Sequence, residues 1–279
     1  MDPQAILQRL GGKLNIPSLP EVIVRMNEMI EGGDVCMADL GAELAKDPPL
    51  AAKALRIANS AYYALQVPVV SIEHAASVLG MRSLKAMVMQ ALVLDLFKGL
   101  EKIPGFEPRE LWKRSVLASR VAVDLPRRGL PGVSLDDLLL CGLLHDIGEF
   151  VLYDHLGEEY ATLRDQVDST GEALVPAEMR ALGLSHVQVG ALVAQRWTLP
   201  RSISKVAEFH HDVGGVAARN PLVAHIAYCD AIVDAVRGGQ RMRNFEDWVP
   251  RGPRELLEYT EKELDPVFTA AQALWNDPV

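Results

Sequence analysis

Apolar residues recur every three to four positions along most of the chain, the spacing of one buried helix face. No stretch alternates with the period of two that a half-buried strand needs, so the pattern predicts an all-α protein. Pro20-Glu21 opens a first helix with Val22, Ile23, Met26, Met29 and Ile30 on one face, closed by Gly32-Gly33. A second covers 39–46 and stops at Asp47-Pro48-Pro49, and a third runs over 50–60. Ser71 caps a helix over 72–79, Gly80 ends it, and Ser83 caps the stretch to Phe97. Residues 98–108 then hold two Gly and two Pro, the best internal boundary. Beyond it the periodicity predicts helices at 109–126, 135–155, 157–169, 174–183, 186–197, 201–211, 221–237 and 253–275.

Three segments follow from this punctuation: an N-terminal helical lobe over 1–105, a second lobe over 106–240 and a C-terminal helical extension over 241–279. The chain has 279 residues and 49% apolar content, enough to bury a core. A net charge of −9 argues against nucleic-acid binding, since Arg127-Arg128 and Arg241-Met242-Arg243 are short and read as solvated turns. The longest apolar run, 86–97, is broken by Gln90 and Asp95 and is too short for a bilayer, so no membrane insertion is expected. Cys36, Cys141 and Cys229 lie far apart, the last two in apolar surroundings, and suggest a reduced, cytoplasmic protein.

The chemistry-bearing residues gather in the second half. His145-Asp146 lies on a helix that is apolar almost all round, where an unpaired carboxylate would cost several kcal/mol. Asp146 therefore needs a cation or donors nearby. Asp230 interrupts the apolar stripe of Val223, Ile226, Ala227 and Val233 and raises the same demand. Ser185 and Gln188 form a capping-box pattern that puts His186 in a first helical turn. His210-His211 ends another helix, where the dipole alone favours histidine. Imidazoles mixed with carboxylates suit a borderline divalent ion. His225 and Cys229, four residues apart, have no second ligand pair and read as core.

In order, these residues resemble the HD superfamily of metal-dependent phosphohydrolases, and specifically its HDOD branch. The resemblance runs over about residues 10–237. It rests on Leu19-Pro20-Glu21, Lys46-Asp47-Pro48-Pro49-Leu50, the stretch Leu55 to Tyr63 containing Asn59-Ser60-Ala61-Tyr62-Tyr63, and Ser71-Ile72-Glu73-His74-Ala75 leading to Leu79-Gly80. The second half is similar to the HD-GYP phosphodiesterase core through Leu143-Leu144-His145-Asp146-Ile147-Gly148, Ser185-His186, His210-His211 and Asp230. In catalytic relatives such positions hold two metals and a water that attacks a cyclic-dinucleotide phosphodiester.

Three departures oppose catalysis. Arg114, in Trp112-Lys113-Arg114-Ser115, stands where metal-binding relatives have His; Glu149 stands where catalytic relatives have Lys; and His210-His211 leads to Asp212-Val213-Gly214 without Gly-Tyr-Pro. The resemblance thus implies a signal-transduction output module with an HD-type bundle as its second lobe. It would act through regulatory protein partners, with a cyclic dinucleotide or other small ligand as candidate occupant of the degenerate pocket. No catalytic residue and no cofactor is expected. The alternative is a metal-dependent phosphohydrolase with Mn, Fe or Mg held by His145, Asp146, His186, His210, His211 and Asp230.

Arg114 shares the apolar face of Leu111, Ala118, Val121 and Leu125, and the resemblance implies that this position points into the pocket of His145, Asp146 and Asp230, so its guanidinium is expected to stand in for a metal charge between Asp146 and Asp230. The alternative is that it snorkels to the surface. Asn59, Ser60, Tyr62 and Tyr63 are expected either to hold a turn or to form a lobe contact or partner surface.

Overall fold

The computed structural model describes residues 16, 19, 21–32, 36–59, 65–96 and 108–276. The fold is all-α, and no strand occurs among the described residues. The chain divides into two compact units, one of Pro17–Lys98 and the other taking in Gly99–Val279.

The N-terminal unit contains α1 (Glu21–Gly32), α2 (Met37–Leu44), α3 (Pro48–Ala58), α4 (Ile72–Leu79) and α5 (Met81–Leu96). Asp47 caps α3 by accepting from Leu50 N at 3.1 Å, and Ser71 caps α4 by accepting from His74 N. The core is small and aliphatic, with Ile23, Leu40, Leu44, Ala58, Leu84 and Met87 fully enclosed. Asn59 closes α3. Its side-chain amide donates to Val69 O and its carbonyl accepts from Val69 N, both at 2.8 Å. Asn59 is thus a turn-holding residue; Ser60, Tyr62 and Tyr63 lie outside the described residues.

The C-terminal unit begins with α6 (Pro108–Asp124), α7 (Leu135–Leu144), α8 (Ile147–Leu156), α9 (Glu158–Thr170) and α10 (Leu174–Ala181). It continues with α11 (His186–Arg196), α12 (Arg201–Phe209), α13 (Pro221–Arg237), a 3₁₀ turn at Met242–Asn244, α14 (Phe245–Trp248), α15 (Arg251–Leu257) and α16 (Glu261–Asn276). Two helices expected to be continuous are broken. The 135–155 helix is interrupted at His145-Asp146, so the motif sits in the bend between α7 and α8. The 253–275 helix is interrupted at Glu258, in the left-handed region at φ 49°, before Thr260 and Glu263 restart it. The segment after 240 packs back on this unit, α15 against α13 and α16 against both α13 and α6.

Three local features set the frame of the site. Ser134 caps α7 reciprocally, accepting from Asp137 N at 3.1 Å while Asp137 accepts from Ser134 N at 3.2 Å. Gly142 lets α7 cross α6 so closely that a Cβ there would lie 2.6 Å from Ser119 Cα. Gly148 does the same for α8 and α11, where a Cβ would meet His186 O at 1.9 Å. These contacts bring together Arg114 on α6, Asp146 in the bend before α8 and His186 on α11. Arg128 lies in an exposed turn, as expected, and from there donates to Leu257 O at 3.2 Å and meets Glu263 at 2.6 Å.

Candidate functional site

Asp146 is the centre. Its two oxygens face different partners. Oδ2 meets Arg114 Nη2 at 3.3 Å and His145 Nε2 at 3.2 Å. Oδ1 meets His210 Nε2 at 3.1 Å and His186 Nε2 at 3.6 Å. Burial opposes its ionisation, but His145, His210 and Arg114 win and hold the carboxyl well below its usual range.

The imidazoles are oriented from behind. His145 Nδ1 lies 2.7 Å from Gly142 O, His210 Nδ1 lies 3.0 Å from Val206 O, and His186 Nδ1 lies 2.8 Å from Glu178 Oε2. Each Nδ1 therefore has an acceptor, and each Nε2 is turned inward. That is the outer arrangement of a metal-ligating histidine. Nε2 of His186 is buried without a hydrogen-bond partner, and Nε2 of His145 has only its ion-pair contacts with Asp146 and Asp230, neither aligned as a hydrogen bond. Burial opposes charge on both rings, yet Asp146 and Asp230 hold His145 well above its usual range and Glu178 lifts His186 to about 9. His211 keeps an edge in solvent; burial of the rest of its ring, with His210 beside it, holds it well below the usual range.

Arg114 is buried at 7% exposure on α6, in line with Leu111, Ala118, Val121 and Leu125, and does not snorkel. Its second carboxylate is Glu149, not Asp230: Nη1 meets Glu149 Oε1 at 3.2 Å, and Nη2 comes within 3.8 Å of Asp234. Asp230 stands one turn away on α13, beside His145 at 3.5 Å and His211 at 3.8 Å. The reason is reach. Glu149 lies on α8 one turn beyond Asp146, so a single guanidinium fork spans both. Burial opposes the Arg114 charge, but Glu149, Asp234 and Asp146 together raise its pKa well above the ordinary value.

The sequence pattern gave no notice of Glu178, Arg164 and Tyr160. Glu178 on α10 is fully buried; it accepts from His186 N at 3.0 Å and from the Tyr160 hydroxyl. Arg164 on α9 backs Glu149 from its other side at 3.5 Å. Glu149 was legible only as a departure, and its sign opposite to that of Arg114 was the available clue to their pairing. His225 is core as expected: Nε2 donates to Ala122 O at 2.8 Å and Nδ1 meets Tyr259 Oη at 2.9 Å. A pocket of about 340 Å³ opens on the cluster, lined by His210, His211, Asp230, Asp234, Gln240 and Trp248 among others.

The residues fit a metal unequally. Asp146, His186, His210 and His211 present one ligand atom each, mutually within 4.8 Å. His145, Asp146 and Asp230 form a second group, but there the guanidinium of Arg114 already holds the shared Asp146 Oδ2. An arginine has five donors and no lone pair for a metal.

A helical bundle with these residues around its central Asp is an HD-type domain. The HDOD domain model matches residues 16–213, and the chain belongs to that family. An uncharacterized protein of Treponema pallidum (strain Nichols) is 25% identical over 268 residues, 93% of this chain and 49% of its own length. The chain thus spans about half the length of that curated relative. An HDOD domain protein of unknown function from Geobacter sulfurreducens has a similar structure, with TM-score 0.74, 26% identity and coverage of 99% of this chain and 100% of its own. A Shewanella amazonensis SB2B protein, named only provisionally as a phosphohydrolase, superposes with TM-score 0.75 at 23% identity over 97% of this chain and 96% of its own. That last likeness concerns the fold.

Proposed function

We propose that this protein is a non-catalytic, cytoplasmic signal-transduction output protein of the HDOD type. It works by docking a regulatory protein partner, and its degenerate HD pocket reads a small ligand. One observation carries the reading: Arg114 is built into the site, with Asp146 and Glu149 as its counter-charges. Two-metal hydrolysis uses paired ions to hold both the attacking and the leaving oxygen. An ion bound to Asp146 Oδ2 would stand about 5 Å from the guanidinium, a repulsion on the order of 7 kcal/mol at an effective dielectric of about 20 before nearby carboxylates offset it. Arg114 and the second ion are therefore alternatives.

The pocket supports the same reading. Among the described residues its lining carries the carboxylates of Asp230 and Asp234, which repel an anionic phosphodiester. No helix among the described residues is long and apolar enough to cross a membrane.

The second reading, a metal-dependent phosphohydrolase, draws on the intact Asp146, His186, His210 and His211 group. A metal held there would supply Lewis acidity; Glu178 and the Val206 carbonyl would keep two of its imidazoles in register. The two readings separate in a hydrolysis assay with a cyclic dinucleotide and an aryl phosphodiester in excess Mn²⁺. The signalling reading expects rates equal to the protein-free control. Turnover by the wild-type chain that disappears in Asp146→Ala overturns it.

A further inference from the structure

A separate cleft of about 730 Å³ lies between α10, α11 and α12. It opens on the face of α11 turned away from His186 and has no lining residue in common with the pocket at Asp230. Its floor is apolar, built from Val175, Met179, Val187, Leu192, Leu199 and Phe209. Volume and lining are those of a small-molecule site, where a few polar groups set orientation. Here the two ends differ chemically. The 197–200 connection is short, and the rings of His186, at the start of α11, and His210, just past the end of α12, lie 5.7 Å apart between centroids. The two helices are therefore antiparallel. One end of the cleft holds Gln195, Thr198 and Arg201, and the other holds Ser185, Glu208 and Phe209. At the first end α12 starts without a side-chain cap, so its first N–H groups and its dipole add to the Arg201 charge. Arg201 is exposed and has no ion-pair partner among the described residues. At the other end Ser185 is fully buried and its Oγ has no hydrogen-bond partner. A buried hydroxyl left unmatched is costly, which marks the place of a missing partner.

We propose that this cleft binds an amphipathic monocarboxylate with a hydroxyl at its far end, in chemical terms an ω-hydroxy fatty acid of medium length. The carboxylate lies at Arg201 and the uncapped start of α12, and the aliphatic body runs over the apolar floor. The hydroxyl ends between Ser185 and Glu208. Arg201 and Glu208 stand two turns apart on α12, about 10 Å along its axis, which sets the length of the body. A hydroxyl suits the far end because it donates to the Glu208 carboxylate and accepts from Ser185 Oγ. A second carboxylate would meet Glu208 as a like charge, so a dicarboxylate of the same length is excluded. Thr198 at the mouth has φ 51°, a left-handed conformation rare for a β-branched residue and found where the surrounding structure over-determines the backbone. Neither the imidazoles nor Arg114 takes part, so this inference stands or falls apart from the reading of the Asp146 site.

The test titrates the full chain with 10-hydroxydecanoate, decanoate and decanedioate below their micellar range, read by calorimetry and by methyl NMR. The proposal expects one site per chain, tightest for 10-hydroxydecanoate, weaker for decanoate and weakest for decanedioate. Methyl shifts should fall on Val187, Leu192 and Leu199. Arg201→Ala, at an exposed position, should weaken decanoate about three- to fivefold and leave decanol unchanged. Ser185→Ala should keep the wild-type melting temperature, since its Oγ has no bond to lose, and should erase the advantage of 10-hydroxydecanoate over decanoate. No binding up to about 1 mM overturns the proposal. So does decanedioate bound as tightly as decanoate, or a set of shifts confined to methyls outside the cleft. Concentration-dependent shifts of the same methyls without ligand, the mark of a second copy of the chain seated there, overturn it as well.

Discussion

Removing the Arg114 side chain should destabilise the metal-free protein by an amount the geometry bounds. Breaking one partner out of a buried ion pair generally costs about 3–5 kcal/mol, because an uncompensated charge is left behind. Here compensation is partial. Asp146 keeps His145 at 3.2 Å and His210 at 3.1 Å, and Glu149 keeps Arg164 at 3.5 Å. Arg114→Ala should therefore fall at the low end, about 3 kcal/mol. In a unit of this size each kcal/mol moves Tm by about 2–4 °C, so the midpoint should drop by about 6–12 °C. The assay is a thermal melt by circular dichroism at neutral pH in EDTA. The drop should persist at about 1 M salt, which screens exposed pairs but hardly reaches a group 7% exposed. Arg114→Lys keeps the charge without the two-armed fork and should lose less. Arg114→His should regain its loss in excess Mn²⁺, since an imidazole offers the lone pair that a guanidinium lacks. An Arg114→Ala midpoint within about 2 °C of wild type would refute the idea that the guanidinium holds buried carboxylates in place.

Other outcomes follow from the same contacts. Gly148→Ala would force a methyl to within 1.9 Å of the His186 carbonyl and should cost about 3 kcal/mol or more, read as a lower urea midpoint. Asn59→Ala loses both bonds to the Val69 backbone and should destabilise the N-terminal unit by about 1–3 kcal/mol, read by hydrogen exchange at Val69. His225 carries the pH prediction. Burial depresses its pKa to about 4, the Ala122 carbonyl only partly opposing it. The unfolded chain therefore binds the extra proton first; the contribution is complete above the unfolded value of about 6.5 and is lost as pH falls through 4. That amounts to about 3 kcal/mol, and His225→Gln should lack this part of the acid slope in urea titrations between pH 7 and pH 4.

Helices were legible because burial on one face imposes a period, and a cap such as Ser71 falls where a side chain satisfies a free N–H group. The break at His145-Asp146 was not. Leu143, Leu144, Ile147 and Phe150 are apolar on both sides of it, and periodicity cannot register a bend inside a fully buried helix. The ligand-type residues could be listed from their order, yet their grouping could not: that Asp146 divides its oxygens between Arg114 and the imidazoles depends on helix crossings at Gly142 and Gly148. Glu178 was invisible because α10 reads as an ordinary amphipathic turn, and its partner His186 lies eight residues on across a loop. Arg114 was placed correctly on its buried face, while its second partner was misassigned because Glu149 becomes its neighbour only once α8 has turned.

A crystal structure of the wild-type chain soaked with Mn²⁺, with anomalous scattering to locate the ions, tests the central claim most directly. The account predicts no peak among His145, Asp146 and Asp230, with the Arg114 guanidinium still between Asp146 and Glu149. A peak among His145, Asp146 and Asp230, with Arg114 swung aside, would contradict it.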